Sequence, residues 1–412
     1  MTIEDTTETR SGRFILQSEG YKVFIPWGLP PDPPIEPDSE LWLLLSDADR
    51  SLGRLDGSAE TLANPDLFVP MYVRKEAIFS SQIEGSEISL IDLLKFEAGD
   101  RKLGSSWEVK HVLGCQYAIN HGLHLLDNSS VSLDLVLACH EQLFSAGLKT
   151  KESRPGEWRQ TQNFVGAPGS TVHTARFVPP PVSELRPLLE NLNDYFSAES
   201  TIPPLIRAGL VHAQFETIHP FEDGNGPIGR LLITLLLKQL GIIRRPLLAL
   251  SCYLQRHRKE YYDRLQAVRD HGDWENWLKF FLRGIARVAQ DSIETAIKIV
   301  HLREKHWRTI AVQMASDAGN ALTFLEKLYQ YPIVSISQVT KILKSNNSAA
   351  QKLIGKFQKI GLLHEITGQV RDTKFAYEPY LALLEDLPPC VQDEEVLSTS
   401  EGGGTPPSQI TT

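Results

Sequence analysis

Apolar residues recur at the three- and four-residue spacing of α-helices along most of this chain, and this periodicity limits the fold to a mainly helical one. The pattern starts after a proline-dense segment, residues 21–37, which excludes a helix there and favours an extended strap. Ser39 can cap the first helix. Further helical patterns cover residues 69–85, 88–96, 107–126, 133–146, 182–197, 206–219, 228–240, 256–269 and 274–298.

Two regions depart from this pattern. Residues 163–181 place β-branched and aromatic residues on both sides of a turn rich in Gly, Pro and Ser, which predicts a β-hairpin. Beyond residue 318, three short helical patterns precede two strand-like segments, residues 362–367 and 370–377. Three helices followed by a hairpin is the order of a winged-helix domain. The expected fold class is therefore mainly α, with a hairpin and a C-terminal winged helix.

Composition excludes several classes of protein. The 412 residues have a net charge of −9, which argues against a nucleic-acid-binding surface along the whole chain. Four widely separated cysteines lack the close pairs of zinc sites or redox motifs and fit a reducing cytoplasm. No uncharged apolar run is long enough for a membrane span, and the first residues are unlike a signal peptide. The polar segments 1–12 and 386–412 are expected to be disordered.

The densest group of chemically active side chains is HPFEDGNGPIGR, residues 219–230, between two helical runs. Its DGNG sequence predicts a sharp turn and a new helix with Pro227 at the first position. Such a turn offers backbone N–H groups to an anion, and Arg230 adds a charged fork for a phosphate. Asp223 can hold Mg²⁺, and His219 can accept a proton near neutral pH. The combination predicts a triphosphate site, although DGNG is also common in ordinary helix–helix turns.

This segment closely resembles the Fic family signature, His-Pro-Phe-x-Asp/Glu-Gly-Asn-Gly-Arg-x-x-Arg. Further motifs agree with it, namely KEAIFSSQIEGSEISL, RPGEWRQTQNFVG, ARFVPPP and YYDRLQAVRDHGDWENWLKFFL. The resemblance covers roughly residues 15 to 385. It implies an N-terminal Fic-associated helical region with an inhibitory helix at 13–115, a Fic catalytic core at 116–300, and a linker helix with the winged-helix domain at 301–385.

The resemblance implies protein AMPylation, in which AMP moves from Mg-ATP to a Ser, Thr or Tyr hydroxyl of a target protein or of the chain itself. His219 would be the base, Asp223 the Mg²⁺ ligand, Arg230 the γ-phosphate contact and Phe221 the anchor of the loop. The remaining nucleotide-binding residues that the resemblance implies are Glu84, Val165, Gly166, Gly224, Asn225, Gly226 and Tyr261. Tyr261 matches an adenine-side contact of the family, but a tyrosine at this helical position also suits the protein core.

SSQIEG, residues 80–85, resembles the inhibitory-helix signature Ser/Thr-x-x-x-Glu-Gly/Asn of the same family. A Glu84 carboxylate near Arg230 would form a bidentate pair and take the place of a γ-phosphate. The alternative is a solvated glutamate at a helix end. A third possibility is that Glu84 orients water for the removal of AMP.

Pro227 departs from the family signature, which has its first arginine there. One positive charge and one N–H donor are lost, so phosphate affinity or catalytic rate is expected to fall. Gly224 and Gly226 remain, which favours the AMP-transferring members over relatives that lost these glycines and transfer phosphate.

The C-terminal region is locally basic. Residues 326–378 contain four acids and the cations Lys327, Lys341, Lys344, Lys352, Lys356, Lys359, Arg371 and Lys374. Lys352, Lys356 and Lys359 share the face of a helix that would meet DNA in a winged helix. Dimerisation or target docking is an equally good reading of this face. A rival hypothesis for the whole chain is thus a DNA-binding regulator with a weakly active nucleotide-sensing core.

Overall fold

The computed structural model describes residues 7–61, 68–100, 106–148, 154–167, 169–368 and 373–385. Helices dominate these residues, which confirms the mainly α fold class. The helices are α1 (Ser39–Thr61), α2 (Val69–Ile83), α3 (Leu90–Glu97), α4 (Trp107–Leu126), α5 (Leu133–Leu143), α6 (Val182–Ser197), α7 (Pro204–Ile218), α8 (Asn225–Gln239), α9 (Ser251–Arg256), α10 (Arg258–His271), α11 (Trp274–Gln313), α12 (Ala318–Leu328), α13 (Ile336–Ile342), α14 (Asn347–Lys359) and α15 (Glu378–Glu385). The strands are β1 (Thr7–Thr9), β2 (Gly12–Leu16), β3 (Lys22–Pro26), β4 (Ile333–Ser335), β5 (His364–Glu365) and β6 (Lys374–Ala376).

The N-terminal residues form a small antiparallel sheet in the order β1–β2–β3. The expectation of disorder over residues 1–12 is therefore wrong from residue 7 onward. Backbone pairing orders this polar segment, and Arg10 adds an ion pair to Glu275 on α11 with an N–O distance of 2.9 Å. Residues 1–6 and 386–412, for which disorder was also predicted, lie outside the described residues.

Two central helices frame the candidate site. α7 is buried from Leu205 to Ile218, and nearly all of α8 is buried up to Leu237. A helix that is buried around its whole circumference lies within a core. The loop between α7 and α8 is therefore held on both sides by core helices, which fixes the position of its side chains.

α2 is the helix that delivers Glu84 to this loop. It packs against α4, α8 and α9, and it ends at Ile83. Glu84 follows directly as the C-terminal cap residue. The packing of α2 on α8 brings the end of one helix beside the beginning of the other.

The long helix α11 links the core to the C-terminal region. It runs to Gln313, well past the predicted end at residue 298. Ile299, His306 and Ile310 remain buried along this extension, and α11 also packs against α12 and α15. The extension is stabilised by burial against these later helices, which local periodicity alone did not reveal.

The C-terminal region contains the predicted three helices followed by a hairpin, here β5 and β6. A strand that was not predicted, β4, pairs antiparallel with β6 and gives the sheet order β4–β6–β5. The assignment of this region to the winged-helix class stays a prediction. Lys352 and Lys359 are exposed, whereas Lys356 pairs with Asp317. Lys374 is buried, and the predicted basic residue at 371 lies outside the described residues.

The hairpin predicted at residues 163–181 is present but small. One antiparallel bridge joins Val165 and Phe177, with N–O distances of 2.8 and 3.0 Å. The run of prolines at 179–181 offers no N–H groups, so the pairing cannot continue in that direction. Among the described residues, no helix has both the length and the hydrophobicity to cross a membrane.

Candidate active site

The turn between α7 and α8 is held by Phe221 and Asn225. The Phe221 ring is fully buried, and it stacks on His140 with 3.6 Å between ring centroids. Asn225 Oδ1 accepts a hydrogen bond from the Phe221 N–H, and Asn225 Nδ2 donates to the Phe221 carbonyl, both at 2.8 Å. Both polar atoms of the Asn225 side chain are thus hydrogen-bonded within the protein. What Asn225 can offer to a phosphate is its backbone N–H.

α8 begins at Asn225, two residues before the predicted start at Pro227, which corrects that prediction. Gly224 adopts the left-handed conformation (φ 83°) that glycine reaches without a steric cost, and this lets the helix start early. Pro227 is then the third helical residue. N–H groups of the first turn have no intrahelical partner, so proline is tolerated there, but one donor facing an anion is lost.

His219 follows the last residue of α7 in a left-handed conformation, φ 49° and ψ 60°, which is uncommon for residues other than glycine. Arg159 supports it by donating from Nε to the His219 carbonyl at 2.9 Å. Burial lowers the pKa of His219 to about 3, and the cations Arg269 and Arg159 act in the same direction. The imidazole is therefore neutral at physiological pH. Its Nδ1 is buried without a hydrogen-bond partner among the described residues, so Nε2 is the nitrogen left to face the cavity.

Arg230 is 2% exposed and is held by two residues of the SSQIEG segment. Its Nε donates to Ser80 Oγ at 2.9 Å, and its Nη2 donates to the Ser80 carbonyl at 3.0 Å. The same Nη2 lies 2.7 Å from Glu84 Oε1. Burial acts to lower the pKa of Arg230, but Glu84 and other nearby acidic groups hold it above its ordinary value. The guanidinium is thus a fixed cation with a single carboxylate oxygen of Glu84 on it, rather than the bidentate pair that was predicted.

A cavity of about 390 Å³ opens over these residues. It is lined by the turn residues Gly224, Asn225, Gly226 and Pro227, by Glu84 and Arg230, and by the hairpin residues Val165 and Gly166. Its other lining residues are Trp107, His111, Leu143, Phe144, Leu148, Phe164, Glu216, His219, Glu222, Asp223, Tyr262, Leu265 and Arg269. All predicted site residues except Tyr261 and Phe221 line this cavity, and Phe221 lies beneath the turn.

Tyr261 does not face the cavity, and its predicted adenine contact needs correction. Its side chain is fully buried, and its hydroxyl lies 2.9 Å from His212 Nε2. The next residue, Tyr262, lines the cavity instead. Successive residues of a helix point about 100° apart, so a one-residue difference decides which ring faces a ligand.

Two charged residues at the cavity were not identified from the sequence. Glu216 is buried, its Oε1 has no hydrogen-bond partner within the described parts of the chain, and burial raises its pKa to about 7. Arg269 donates from Nη2 to the Glu216 carbonyl at 3.3 Å and stacks on Phe177 with 3.8 Å from Cζ to the ring centroid. Glu216 precedes His219 by three residues, so the helical pattern predicted over residues 206–219 would place both on one helix face, and this spacing could have identified Glu216.

The single carboxylate of Asp223 fits a magnesium ion that is bound together with phosphates. Asp223 is exposed at the cavity, and its Oδ1 accepts from the Gly224 N–H at 2.7 Å. Among the described residues, no cluster of three potential metal ligands is present. Mg²⁺ commonly binds proteins through one or two carboxylates and completes its octahedron with phosphate oxygens and water. The residues here fit that mode and do not form an all-protein cage.

Profiles of known families match two adjacent parts of the chain. The Fic/DOC family N-terminal domain matches residues 42–124, and the Fic/DOC family domain matches residues 130–237. The chain is similar to both domains of the Fic/DOC family over these residues. The second match contains the turn and cavity residues His219 to Arg230, and the Fic N-terminal match contains Glu84.

Individual relatives agree with this assignment. The chain is 30% identical to a protein adenylyltransferase of Caenorhabditis elegans over 195 residues, which is 46% of this chain and 34% of the relative. It is 26% identical to a probable protein adenylyltransferase of Aquifex aeolicus over 176 residues, 43% of this chain and 51% of the relative. The chain thus spans about half or less of the length of these relatives. A solved Fic family protein from Desulfovibrio desulfuricans shares the fold, with a TM-score of 0.54 and 19% identity over 84% of this chain and 97% of that one.

Proposed function

We propose that this protein transfers AMP from Mg-ATP to a hydroxyl group of a protein, and that Glu84 inhibits the reaction in the resting state. The observation that favours it most is one cavity lined by a neutral histidine, an anion-binding helix start and a buried arginine. The names of the relatives, protein adenylyltransferases, agree with this activity. Autoinhibition rests on the contact between Glu84 and Arg230.

His219 is the proposed general base. Its Nε2 accepts the proton of the attacking hydroxyl while the oxygen forms a bond to the α-phosphorus. The bond from that phosphorus to the bridging oxygen breaks, and pyrophosphate leaves. A pKa of about 3 makes His219 a weak base, so its contribution comes mainly from position and from the absence of competing positive charge on the ring.

The first turn of α8 and Arg230 bind the phosphates in this proposal. Backbone N–H groups at Asn225 and Gly226 face the negative charge, and Arg230 binds the γ-phosphate. Asp223 would hold Mg²⁺, which supplies further neutralisation of phosphate charge when bound. Val165 and Gly166 of the hairpin, with Tyr262 opposite, close the sides of the cavity against the nucleotide.

Glu84 competes with the γ-phosphate for Arg230. The distance of 2.7 Å to Nη2 leaves no room for a phosphate oxygen at the same guanidinium position. The side chain of Glu84 is one-third exposed, whereas that of Arg230 is buried. The Glu84 carboxylate can therefore leave by turning towards solvent, and Arg230 would stay held by Ser80.

The deciding measurement is incorporation of labelled AMP into the full chain and into candidate proteins from Mg-ATP labelled at the α-phosphate. Wild type, Glu84→Gly and Glu84→Gly/His219→Ala are compared at equal protein and nucleotide. We expect at least a tenfold rise in Glu84→Gly and its complete loss in the double variant, with ATP binding retained. AMP transfer by the double variant at the rate of Glu84→Gly would reject His219 as the base.

The same experiment distinguishes AMP transfer from the alternative activity, which is the removal of AMP from a modified protein. If Glu84 orients water, Glu84→Gly gains no transfer activity, and wild type releases AMP from a protein that already bears it. The DNA-binding alternative predicts a salt-dependent mobility shift with duplex DNA. That shift should weaken in Lys352→Ala/Lys359→Ala and stay unchanged in Glu84→Gly.

A further inference from the structure

A second cavity, of about 290 Å³, lies on the side of α2 away from the candidate active site. It is bounded by α2, the start of α3, α9 and α15. The described residues that line it are Lys75, Ile78, Phe79, Gln82, Ser89, Leu90, Arg256 and Leu384. Two of these side chains are cationic, none is acidic, and most of the others are apolar.

Lys75 is the unusual member of this set. It is only 4% exposed, yet its ammonium has no hydrogen-bond or ion-pair partner among the described residues. The Tyr72 ring lies beside it, with Nζ 5.9 Å from the centroid, which is at the outer limit of a cation–π contact. The adjacent residue Arg74 is equally buried but pairs with Glu97, with an N–O distance of 2.8 Å.

Burying a cation without a partner is costly, because few protein groups then replace the water that it loses. The pKa of the side chain reflects this cost. Burial lowers the pKa of Lys75 to about 8, and the nearby Arg256 acts in the same direction. The amine is still mostly protonated at pH 7, so a positive charge faces the cavity under physiological conditions.

We infer that this cavity binds a small carboxylate with an apolar tail, which pairs its anionic head with Lys75. The tail would lie against Ile78, Phe79, Leu90 and Leu384, which supply the apolar wall. A bare inorganic anion is disfavoured because it would leave the apolar wall without an apolar partner. Ser89 and Gln82 are already engaged, since Ser89 caps α3 through Asp92 and Gln82 Nε2 donates to the Ile88 carbonyl at 3.0 Å.

This inference depends on the second cavity alone and not on the proposed transfer of AMP. α2 does connect the two sites, because Lys75 lies on the helix that ends beside Glu84. Binding and transfer can nevertheless fail independently, since the test below measures binding without nucleotide.

The test is calorimetric titration of the full chain with hexanoate, hexanol and inorganic phosphate. We expect saturable hexanoate binding that is at least tenfold tighter than binding of either control compound. Lys75→Met keeps the length and apolar stem of the side chain and removes its charge, so hexanoate affinity should fall at least tenfold. Lys75→Arg should retain binding, and Lys298→Met, at an exposed lysine of α11, should not change it.

Two further measurements separate a binding role from a structural one. If Lys75 is kept for a ligand at a cost in stability, Lys75→Met should melt at the same or a higher temperature than wild type. In wild type, saturating hexanoate should protect Lys75 from reductive methylation, read by peptide mass spectrometry, and leave Lys298 unprotected. Absence of protection, equal hexanol affinity, or unchanged hexanoate affinity in Lys75→Met would each overturn the inference.

Discussion

A Cβ atom built on Gly226 would lie 2.3 Å from Glu84 Oε1 and 2.9 Å from Arg230 Nη1. The Glu84–Arg230 pair is therefore packed directly against the first turn of α8. The absence of a side chain at this position lets an anionic oxygen approach the helix start, whether it belongs to Glu84 or to a phosphate.

Gly226→Ala should consequently prevent both the Glu84 carboxylate and a phosphate from approaching the start of α8. In the Glu84→Gly background, where the carboxylate beside Arg230 is gone, we expect the added methyl group to lower AMP transfer at least tenfold. The measurement is labelled AMP incorporation by Glu84→Gly with and without Gly226→Ala. Gly57→Ala, in open space on α1, is the matched control. Equal rates with and without Gly226→Ala would mean that phosphate does not approach this turn.

Asn225→Ala should destabilise the protein. It removes both side-chain hydrogen bonds to Phe221 and leaves the buried Phe221 N–H unpaired, whereas the Phe221 carbonyl keeps the bond from Asn163 Nδ2 at 2.8 Å. The expected loss is about 1–3 kcal/mol in the free energy of unfolding, measured by chemical denaturation. Asn320→Ala, at an exposed position of α12, should change it by less than about 0.5 kcal/mol. A similar small loss in Asn225→Ala would show that water replaces these bonds.

Pro227→Arg should strengthen phosphate binding. The substitution restores a charge and an N–H donor in the first turn of α8, beside the cavity. We expect a lower dissociation constant for ATP or a faster transfer in the Glu84→Gly background. Pro227→Ala restores the N–H alone, so comparing the two variants separates the donor from the charge. If neither variant differs from the parent, the turn already compensates for the proline.

The stability of the fold should depend on pH through His212. Burial lowers the pKa of this side chain to about 3, with the Gly229 hydrogen bond opposing and Arg230 reinforcing the shift. Unfolded histidine titrates near 6.5. Between these values the unfolded chain binds a proton that the folded chain does not, so the free energy of unfolding falls as pH decreases, by about 1 kcal/mol per pH unit. Glu216, whose pKa is raised to about 7, has the opposite effect between about pH 7 and 4.5.

Chemical denaturation at pH 7.5 and 5 checks this expectation. Because Glu216 is present in both proteins, the difference in pH dependence between wild type and His212→Gln isolates the histidine. The variant should lose less stability on acidification than wild type. An identical loss would mean that the pKa of His212 in the folded protein is near its ordinary value.

The helices and the main residues of the candidate site could be predicted from the sequence because each is indicated by a pattern of residues close together in the chain. Apolar spacing identified the core helices, and the run from His219 to Arg230 identified the turn between α7 and α8. SSQIEG identified the segment that lies against Arg230, and the structure brings Ser80 and Glu84 to that guanidinium.

Contacts between distant segments were decided by the tertiary structure. Residues 7–12 have little to bury, yet strand pairing and an ion pair to Glu275 order them. Tyr261 and Tyr262 have the same chemistry, and only the packing of α10 against the core turns the second towards the cavity. Glu216 and Lys75 are charged residues on helices, where sequence alone predicts a solvated side chain. Their burial follows from which helix faces meet, and this depends on packing across the whole fold rather than on any local pattern.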